Sequence, residues 1–279
     1  MAAAPHHEGL AWPEDDPRVL VPFHEAINQM ETSLLGASVA SGSDGELYLL
    51  HAIGGGGTPN SDTLRDEAAL RMRVREEFDV PVVQSEESYS SGVLQSLVES
   101  YGITTTIVDR EQDGFFARGS DRPSATDCHH VVGTRMDRFQ SPSSVLVPVA
   151  RGPHSGLATR VAAAVARAYD CRLELFHVVP EDASEDAVAD ADGLLDAYEY
   201  RLRDDVEVDH HVTRAPDAAS GITEHSRYHD LTVVGAPEKG RLRRFLFGST
   251  ADEVTGDEAS GPVLMAHRDT EEPVLSRWL

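Results

Sequence analysis

The chain has 279 residues, of which 48 are acidic and 24 are basic, and its net charge at pH 7 is -24. A surface this acidic repels nucleic acids and anionic membrane surfaces, so neither is expected as a partner. The apolar fraction of 40% is sufficient for packed cores, but no apolar run comes close to the roughly 18 residues that a membrane-spanning helix requires, which argues against membrane insertion.

Residues 1–17 are predicted to form a disordered N-terminal tail. They have neither the basic start nor the apolar stretch of a secretory signal, so we expect a cytoplasmic protein. The two cysteines, Cys128 and Cys171, show no disulfide or zinc-binding spacing. This agrees with a reducing compartment.

Three apolar runs of the first half recur in the second half at an offset of 126 residues, which indicates an internal repeat. The matching pairs are 19–23 with 145–149, 47–53 with 173–179, and 107–108 with 233–234. Gly119-Ser120 recurs as Gly248-Ser249 at an offset of 129, so the first copy is predicted to lack three residues before this point. We predict homologous domains at 18–136 and 143–268, a linker at 137–144, and a C-terminal tail at 269–279.

Within the second copy, short apolar runs typical of buried strands alternate with helical periodicity. Strands are predicted at 145–149, 173–179, 206–212, 231–234 and 262–266, and helices at 157–168, 183–203, 218–228 and 250–258. Such alternation implies right-handed crossovers, so we predict an α/β fold with two doubly wound parallel sheets, Rossmann-like, in tandem. Ligands of these sheets bind at the carboxyl ends of strands, beside the topological switch point.

The segment GAPEKGRLRRFLFGST at 235–250 follows one of these strand ends. Four cations at 239–244 create a local positive field, Gly235 and Gly240 allow close backbone approach, and a helix opening at Thr250 would favour an anion. The alternative is that Thr250 and Glu253 form a capping box, with acidic residues that complement the helix dipole. The residues alone leave anion binding and simple helix capping open.

This glycine pattern, after an opening strand of the form VLVPV, resembles the universal stress protein family, and the whole chain resembles a tandem of two such domains. The resemblance implies a five-stranded sheet of order 3-2-1-4-5 in each copy and ATP as the ligand. It implies a cofactor site at Pro148, Val149, Ala150, Val178, Val234, Gly235, Gly240, Gly248, Ser249 and Thr250. Glu238 replaces the family's second glycine and Ala150 its aspartate, so we expect weak binding of an adenine nucleotide.

The first copy departs further from the family, because Asp109 stands in the slot of Gly235 and His24 replaces the aspartate. We interpret this copy as a degenerate structural or pairing domain. The last strands, at 131–132 and 262–265, are predicted to lie side by side and antiparallel, and to make the chain an intramolecular pseudo-dimer.

Lys239 is the only lysine among the 24 basic residues. Together with the evenly spread acidity, this predicts a halophilic protein, since high salt screens self-repulsion. The second copy also resembles the stress protein domains appended to permeases in salt-loving archaea, which suggests a transporter as a protein partner.

The predicted function is regulatory binding in a stress response, and no catalytic residues are assigned. The alternatives are a slow ATPase and a ligand-free interaction module that regulates a membrane transporter. No metal site is predicted, because the adjacent histidines at 129–130 and 210–211 face opposite sides of a strand. His51 and His177, in matching strands, are predicted to be hydrogen-bonded core residues.

Overall fold

The structure is a computed structural model that describes residues 17–23, 29–51, 61–85, 91–109, 128–202, 206–236 and 261–268. The two predicted tails, most of the basic loop and the predicted helix at 250–258 lie outside these residues. The chain divides into two compact units between Asp137 and Arg138, within a short 3-10 helix at Met136–Arg138.

In its described residues, the first unit has five strands and three helices. Its strands are β1 (Arg18–Phe23), β2 (Glu46–His51), β3 (Val82–Ser85), β4 (Thr105–Asp109) and β5 (His129–Thr134). Its helices are α1 (Gln29–Ser41), α2 (Ser61–Glu77) and α3 (Ser91–Tyr101). The strands pair in parallel in the order β3-β2-β1-β4-β5.

The second unit repeats this plan among the residues that the structure describes. Its strands are β6 (Ser144–Pro148), β7 (Arg172–Pro180), β8 (Val208–Ala215), β9 (Leu231–Gly235) and β10 (Val263–His267). Its helices are α4 (Pro153–Tyr169), α5 (Glu185–Leu202) and α6 (Ala218–Ser226). The strands again pair in parallel, in the order β8-β7-β6-β9-β10, and the predicted α/β class is confirmed.

The strand registers of the two units correspond at the offset of 126 found in the sequence. Leu20 pairs with Tyr48 in the first unit, and Leu146 pairs with Glu174 in the second. The correspondence ends after β4 and β9. Ile107 pairs with Val131, 24 positions later, whereas Val233 pairs with Leu264, 31 positions later. The connection after β4 is therefore seven residues shorter than the connection after β9. The sequence analysis predicted a difference of three residues, counted up to Gly119-Ser120.

Helices cover both faces of the second sheet. Helix α4 packs on β6, β9 and β10, and α5 packs beside α4 on β7 and β8. Helix α6 covers the opposite face, where Ile222 packs with Leu146, Phe176 and Val234. In α4 the buried alanines at 162–164 allow close approach to the sheet. The backbone thereby brings the start of α4 to the carboxyl ends of β6 and β9.

Several element ends differ from the sequence prediction, such as the start of α4 at Pro153 rather than at 157, and two of them have a local cause. Helix α5 starts at Glu185 rather than at 183, because the hydroxyl of Ser184 caps it by accepting a 3.3 Å hydrogen bond from the backbone N–H of Ala187. Strand β8 runs on to Ala215, since its ladder with β7 continues to the pair formed with Pro180.

Candidate functional site

A cavity of about 530 Å³ opens at the carboxyl ends of β6, β7 and β9, where the strand order of the second unit reverses. Its lining includes six of the predicted cofactor residues, namely Pro148, Val149, Ala150, Val178, Val234 and Gly235. The other four, Gly240, Gly248, Ser249 and Thr250, lie outside the described residues. The structure thus brings all six described residues of the predicted site together in one cavity.

The walls of this cavity combine an apolar surface with a few polar groups. Phe176, Ile222 and Val234 belong to the hydrophobic cluster under α6 and also line the cavity. Arg151, just before α4, and Ser155, in the first turn of α4, contribute polar groups. An apolar pocket with a small number of placed polar groups is the usual form of a small-molecule site.

The backbone of Ala150 is held from both sides. Its N–H donates a 3.0 Å hydrogen bond to Oγ of Ser155, and its carbonyl accepts a 2.9 Å bond from the hydroxyl of Tyr198 on α5. Burial raises the pKa of Tyr198 to about 12, against a lowering by the hydrogen bond with Ser155 and by the charge of Arg151. The hydroxyl is therefore protonated at neutral pH and fixes the position of the loop after β6.

His177 was expected in the core, but it is only half-buried and lines the cavity. Its Nδ1 atom lies 2.8 Å from the carbonyl oxygen of Val149. The ring is hydrogen-bonded, as predicted. Its position near the end of β7 places it at the cavity wall rather than between the sheet and a helix. The side chain of His51 lies outside the described set, so the matching prediction stays open.

Gly235 lies against helix α4, and this contact leaves no room for a side chain at position 235. A Cβ atom at this position would lie 2.9 Å from the carbonyl carbon of His154 and 2.9 Å from the backbone nitrogen of Ser155. Its φ is not in the left-handed region, where Gly102 alone among the described glycines lies. The sequence suggested that a ligand approaches the backbone closely at Gly235, but here the first turn of α4 makes this close approach. The N-cap residue of α4 is Gly152, and no side chain caps this end of the helix.

In the first unit, Asp109 ends β4 at the register position that Gly235 occupies in β9, and its side chain is buried. The other first-copy positions of interest, His24, Gly119 and Ser120, lie outside the described residues. The carboxylate at Asp109 and the shorter connection after β4 are thus the first-copy departures that the described residues display.

A second polar cluster, which the sequence analysis missed, lies on the α6 face of the same sheet. Glu174 of β7 contacts Nε2 of His225 through Oε1 and lies 3.2 Å from Nε2 of His229 through Oε2. Burial raises the pKa of Glu174, but hydrogen bonds from His229 and His225 outweigh this and hold it at about 2. The signal in the sequence was the His-x-x-x-His spacing at the end of a predicted helix.

The predicted orientation of the histidine pair at 210–211 is observed. His210 faces α5, with its Nε2 atom 2.7 Å from Oε2 of Glu199 and its Nδ1 atom 3.5 Å from Oδ1 of Asp196. The ring of His211 stacks on Phe176 on the other face, with centroids 5.8 Å apart. Adjacent strand residues therefore enter two different environments.

Residues 143–267 match the model of the Universal stress protein family. The matched segment, 125 of the 279 residues, is similar to a universal stress protein domain. The match covers the described cavity and both polar clusters of the second unit. No match was found among curated protein sequences.

Solved structures share the fold of the chain. A universal stress protein from Archaeoglobus fulgidus DSM 4304 is 14% identical, with a TM-score of 0.54 over 92% of this chain and 100% of that one. The cytoplasmic domain of a prokaryotic cation chloride cotransporter is also 14% identical, with a TM-score of 0.57 over 94% and 99%. At this identity the likeness shows the fold alone. None of the described helices is long and apolar enough to cross a membrane.

Proposed function

We propose that the chain is a stress-response regulatory protein of the cytoplasm and that the cavity of its universal stress protein domain binds an adenine nucleotide weakly. The observation that carries this proposal is the cavity of about 530 Å³ at the switch point of the second sheet. Its size lies within the roughly 300–1,000 Å³ of small-molecule sites. The free cysteines, Cys128 and Cys171, agree with a reducing compartment.

The described lining fits an aromatic base better than it fits the rest of a nucleotide. Phe176, Val178 and Ile222 offer an apolar surface for adenine, and Arg151 supplies a cation at the cavity. Ala150 presents a methyl group where the family's aspartate would hold the adenosine, so one polar anchor is missing. We propose that the phosphates contact Gly240, Gly248, Ser249 and Thr250, as the family resemblance implies.

We propose binding without turnover. In the described part of the cavity, the lining residues include no carboxylate that could act as a general base. His177, one of the two histidines in the described lining, directs Nδ1 to the carbonyl oxygen of Val149. Phosphate release from ATP at the rate of buffer alone is the expected result, and saturable release would favour the slow ATPase.

Calorimetric titration of the full chain with ATP and Mg²⁺ in molar KCl tests the proposal. Ala218→Trp should abolish the heat of binding, because Ala218 is exposed at the start of α6 and lines the cavity. Ala189→Trp, on the exposed side of α5, is the matched control and should bind like the parent chain. Ala150→Asp should strengthen binding by restoring the anchor. Binding that is equal in all four proteins would refute the cavity as the site.

A second candidate function is a ligand-free interaction module that regulates a membrane transporter. It is favoured by Ala150 and by the shared fold with a cytoplasmic domain of a cotransporter. Absence of nucleotide binding in both the parent chain and Ala150→Asp would support this candidate.

We propose further that the first unit is a degenerate stress protein domain that pairs with the second. The corresponding registers support a common origin, and β5 and β10 are each the last strand in the order of their own unit. A cysteine pair at Val132 and Leu264, in a background with Cys128 and Cys171 replaced by serine, should form an intrachain disulfide on mild oxidation. Failure to form it would contradict side-by-side pairing of these strands.

A further inference from the structure

We propose that Glu174, His225 and His229 form a binding site for a zinc-type divalent metal ion on the α6 face of the second sheet. The potential ligand atoms of these three residues lie within 4.8 Å of one another. The proposal does not depend on nucleotide binding, because the cluster uses none of the residues that line the cavity.

The three side chains converge because strand and helix geometry place them together. His225 is in the last turn of α6 and His229 follows one turn later, so both rings lie on the side that faces the sheet. Glu174 rises from β7 toward them and directs one carboxylate oxygen to each ring. Two imidazoles and a carboxylate, with a further position open to water, are an established ligand set for zinc.

The hydrogen bonds of His229 suit a metal ligand. Its Nδ1 atom lies 3.3 Å from the carbonyl oxygen of His225, and its Nε2 atom lies 3.2 Å from Oε2 of Glu174. In the metal-free chain the hydrogen bond between Nε2 and Glu174 holds the two groups together, and a metal ion bound between them displaces that hydrogen. An Nδ1–H bond to a backbone carbonyl is also the usual support of a metal-binding histidine.

The surroundings keep the cluster in place and leave it accessible. The side chain of His229 is 8% exposed, while those of Glu174 and His225 are 21% and 22% exposed. The ring of His225 stacks on Phe176 at a centroid distance of 4.3 Å and on His211 at 4.8 Å. Stacking fixes the plane of the imidazole before a metal arrives, and the partial exposure provides an entry path.

The fold itself does not require this polar cluster. At the register position of Glu174, the first unit has Tyr48, which packs with Leu97, Val98 and Ile103 in an apolar cluster. Apolar packing at a site of this kind is commonly as stable as a buried ion pair, or more so. The three polar residues of the second unit therefore call for a functional explanation, and metal binding supplies one.

The test is calorimetric titration of the untagged, metal-free full chain with ZnCl₂ in molar KCl, which suppresses loose binding to the acidic surface. The parent chain should bind one equivalent of zinc tightly. Glu174→Gln, His225→Gln and His229→Gln should each weaken binding at least about tenfold. His210→Gln makes the same change in the cluster with Asp196 and Glu199 and should leave the affinity unchanged.

Cobalt provides a second readout, because Co²⁺ bound by imidazole and carboxylate in a four- or five-coordinate site gives visible absorption bands that hydrated Co²⁺ lacks. The parent chain and His210→Gln should show these bands, and His225→Gln should not. Circular dichroism in metal-free buffer identifies any of the three ligand variants that fails to fold. The other two ligand variants then test the proposal. Lack of a stoichiometric zinc site, equal affinity in the parent and the folded variants, or loss of binding in His210→Gln would overturn the proposal.

Discussion

The hydroxyl of Tyr198 in α5 reaches the carbonyl oxygen of Ala150, 48 positions earlier, with a hydrogen bond of 2.9 Å. This bond connects a helix to the loop that forms one wall of the cavity. Tyr198→Phe should lower the free energy of unfolding by about 0.5–1.5 kcal/mol, the usual net value of such a bond. Urea denaturation measures it, with Tyr200→Phe as the control, since Tyr200 is 71% exposed and should change little.

The same residue predicts a loss of stability at high pH. Burial raises the pKa of Tyr198 from 10.0 to about 12, so folding favours the neutral hydroxyl. Its contribution is complete below pH 10 and disappears as the pH rises from 10 to about 12. Tyr198→Phe should unfold less steeply with pH in this window than the parent chain, and parallel pH profiles would contradict the assignment.

Two glycines of the second unit should respond to alanine in opposite ways. At Gly235 a Cβ would lie 2.9 Å from the backbone of α4, which cannot move aside locally, whereas at Gly193 in α5 nothing lies within 4 Å. Gly235→Ala should destabilise the chain by about 1–3 kcal/mol through overpacking. Gly193→Ala should stabilise it by about 0.5–1 kcal/mol, because alanine loses less backbone entropy in a helix. Thermal and urea unfolding of the pair would show whether the signs differ.

Salt should stabilise the chain strongly. The net charge of -24 produces self-repulsion, and molar KCl reduces the Debye length to about 3 Å. We expect the melting temperature to rise steeply between low and molar KCl, and to rise much less with sucrose added at the same osmolality. An unchanged melting temperature in KCl would remove the basis for the halophilic interpretation.

Cys171 should react slowly with alkylating reagents. Burial, followed by the charges of Asp230 and Asp170, raises the pKa of its thiol from 9.0 to about 11. A shift of this size lowers the thiolate fraction at pH 8 about 100-fold. Iodoacetamide labelling of a Cys128→Ser variant should therefore be about 100-fold slower in the folded chain than in urea, and equal rates would show that the thiol is not perturbed.

The sequence was sufficient for much of the fold because parallel strands bury continuous apolar runs, which are visible without a partner. The runs at 145–149 and 173–179 became β6 and β7 within a residue or two. The end of β8 was not predictable, because its last pairs depend on how far β7 extends. Six of the ten predicted cofactor residues meet in one cavity, since the carboxyl ends of neighbouring parallel strands share an edge.

Other features of the site depend on contacts that are distant in sequence. Glu174 and His225 are 51 positions apart, and only the packing of α6 on β7 brings them together. The backbone contact of Gly235 with His154 likewise requires the position of α4. A pattern of adjacent histidines could be judged from strand geometry, but a cluster assembled from a strand and a helix could not.

The corresponding registers have a consequence for engineering. Because β1 to β4 and β6 to β9 share one alignment without gaps, the seven-residue difference is confined to one connection in each unit. The connection from β9 to β10 can therefore be transplanted between β4 and β5 without shifting any strand by a residue. Such a chimera would carry two copies of the basic segment on scaffolds that differ in their side chains but share one strand register.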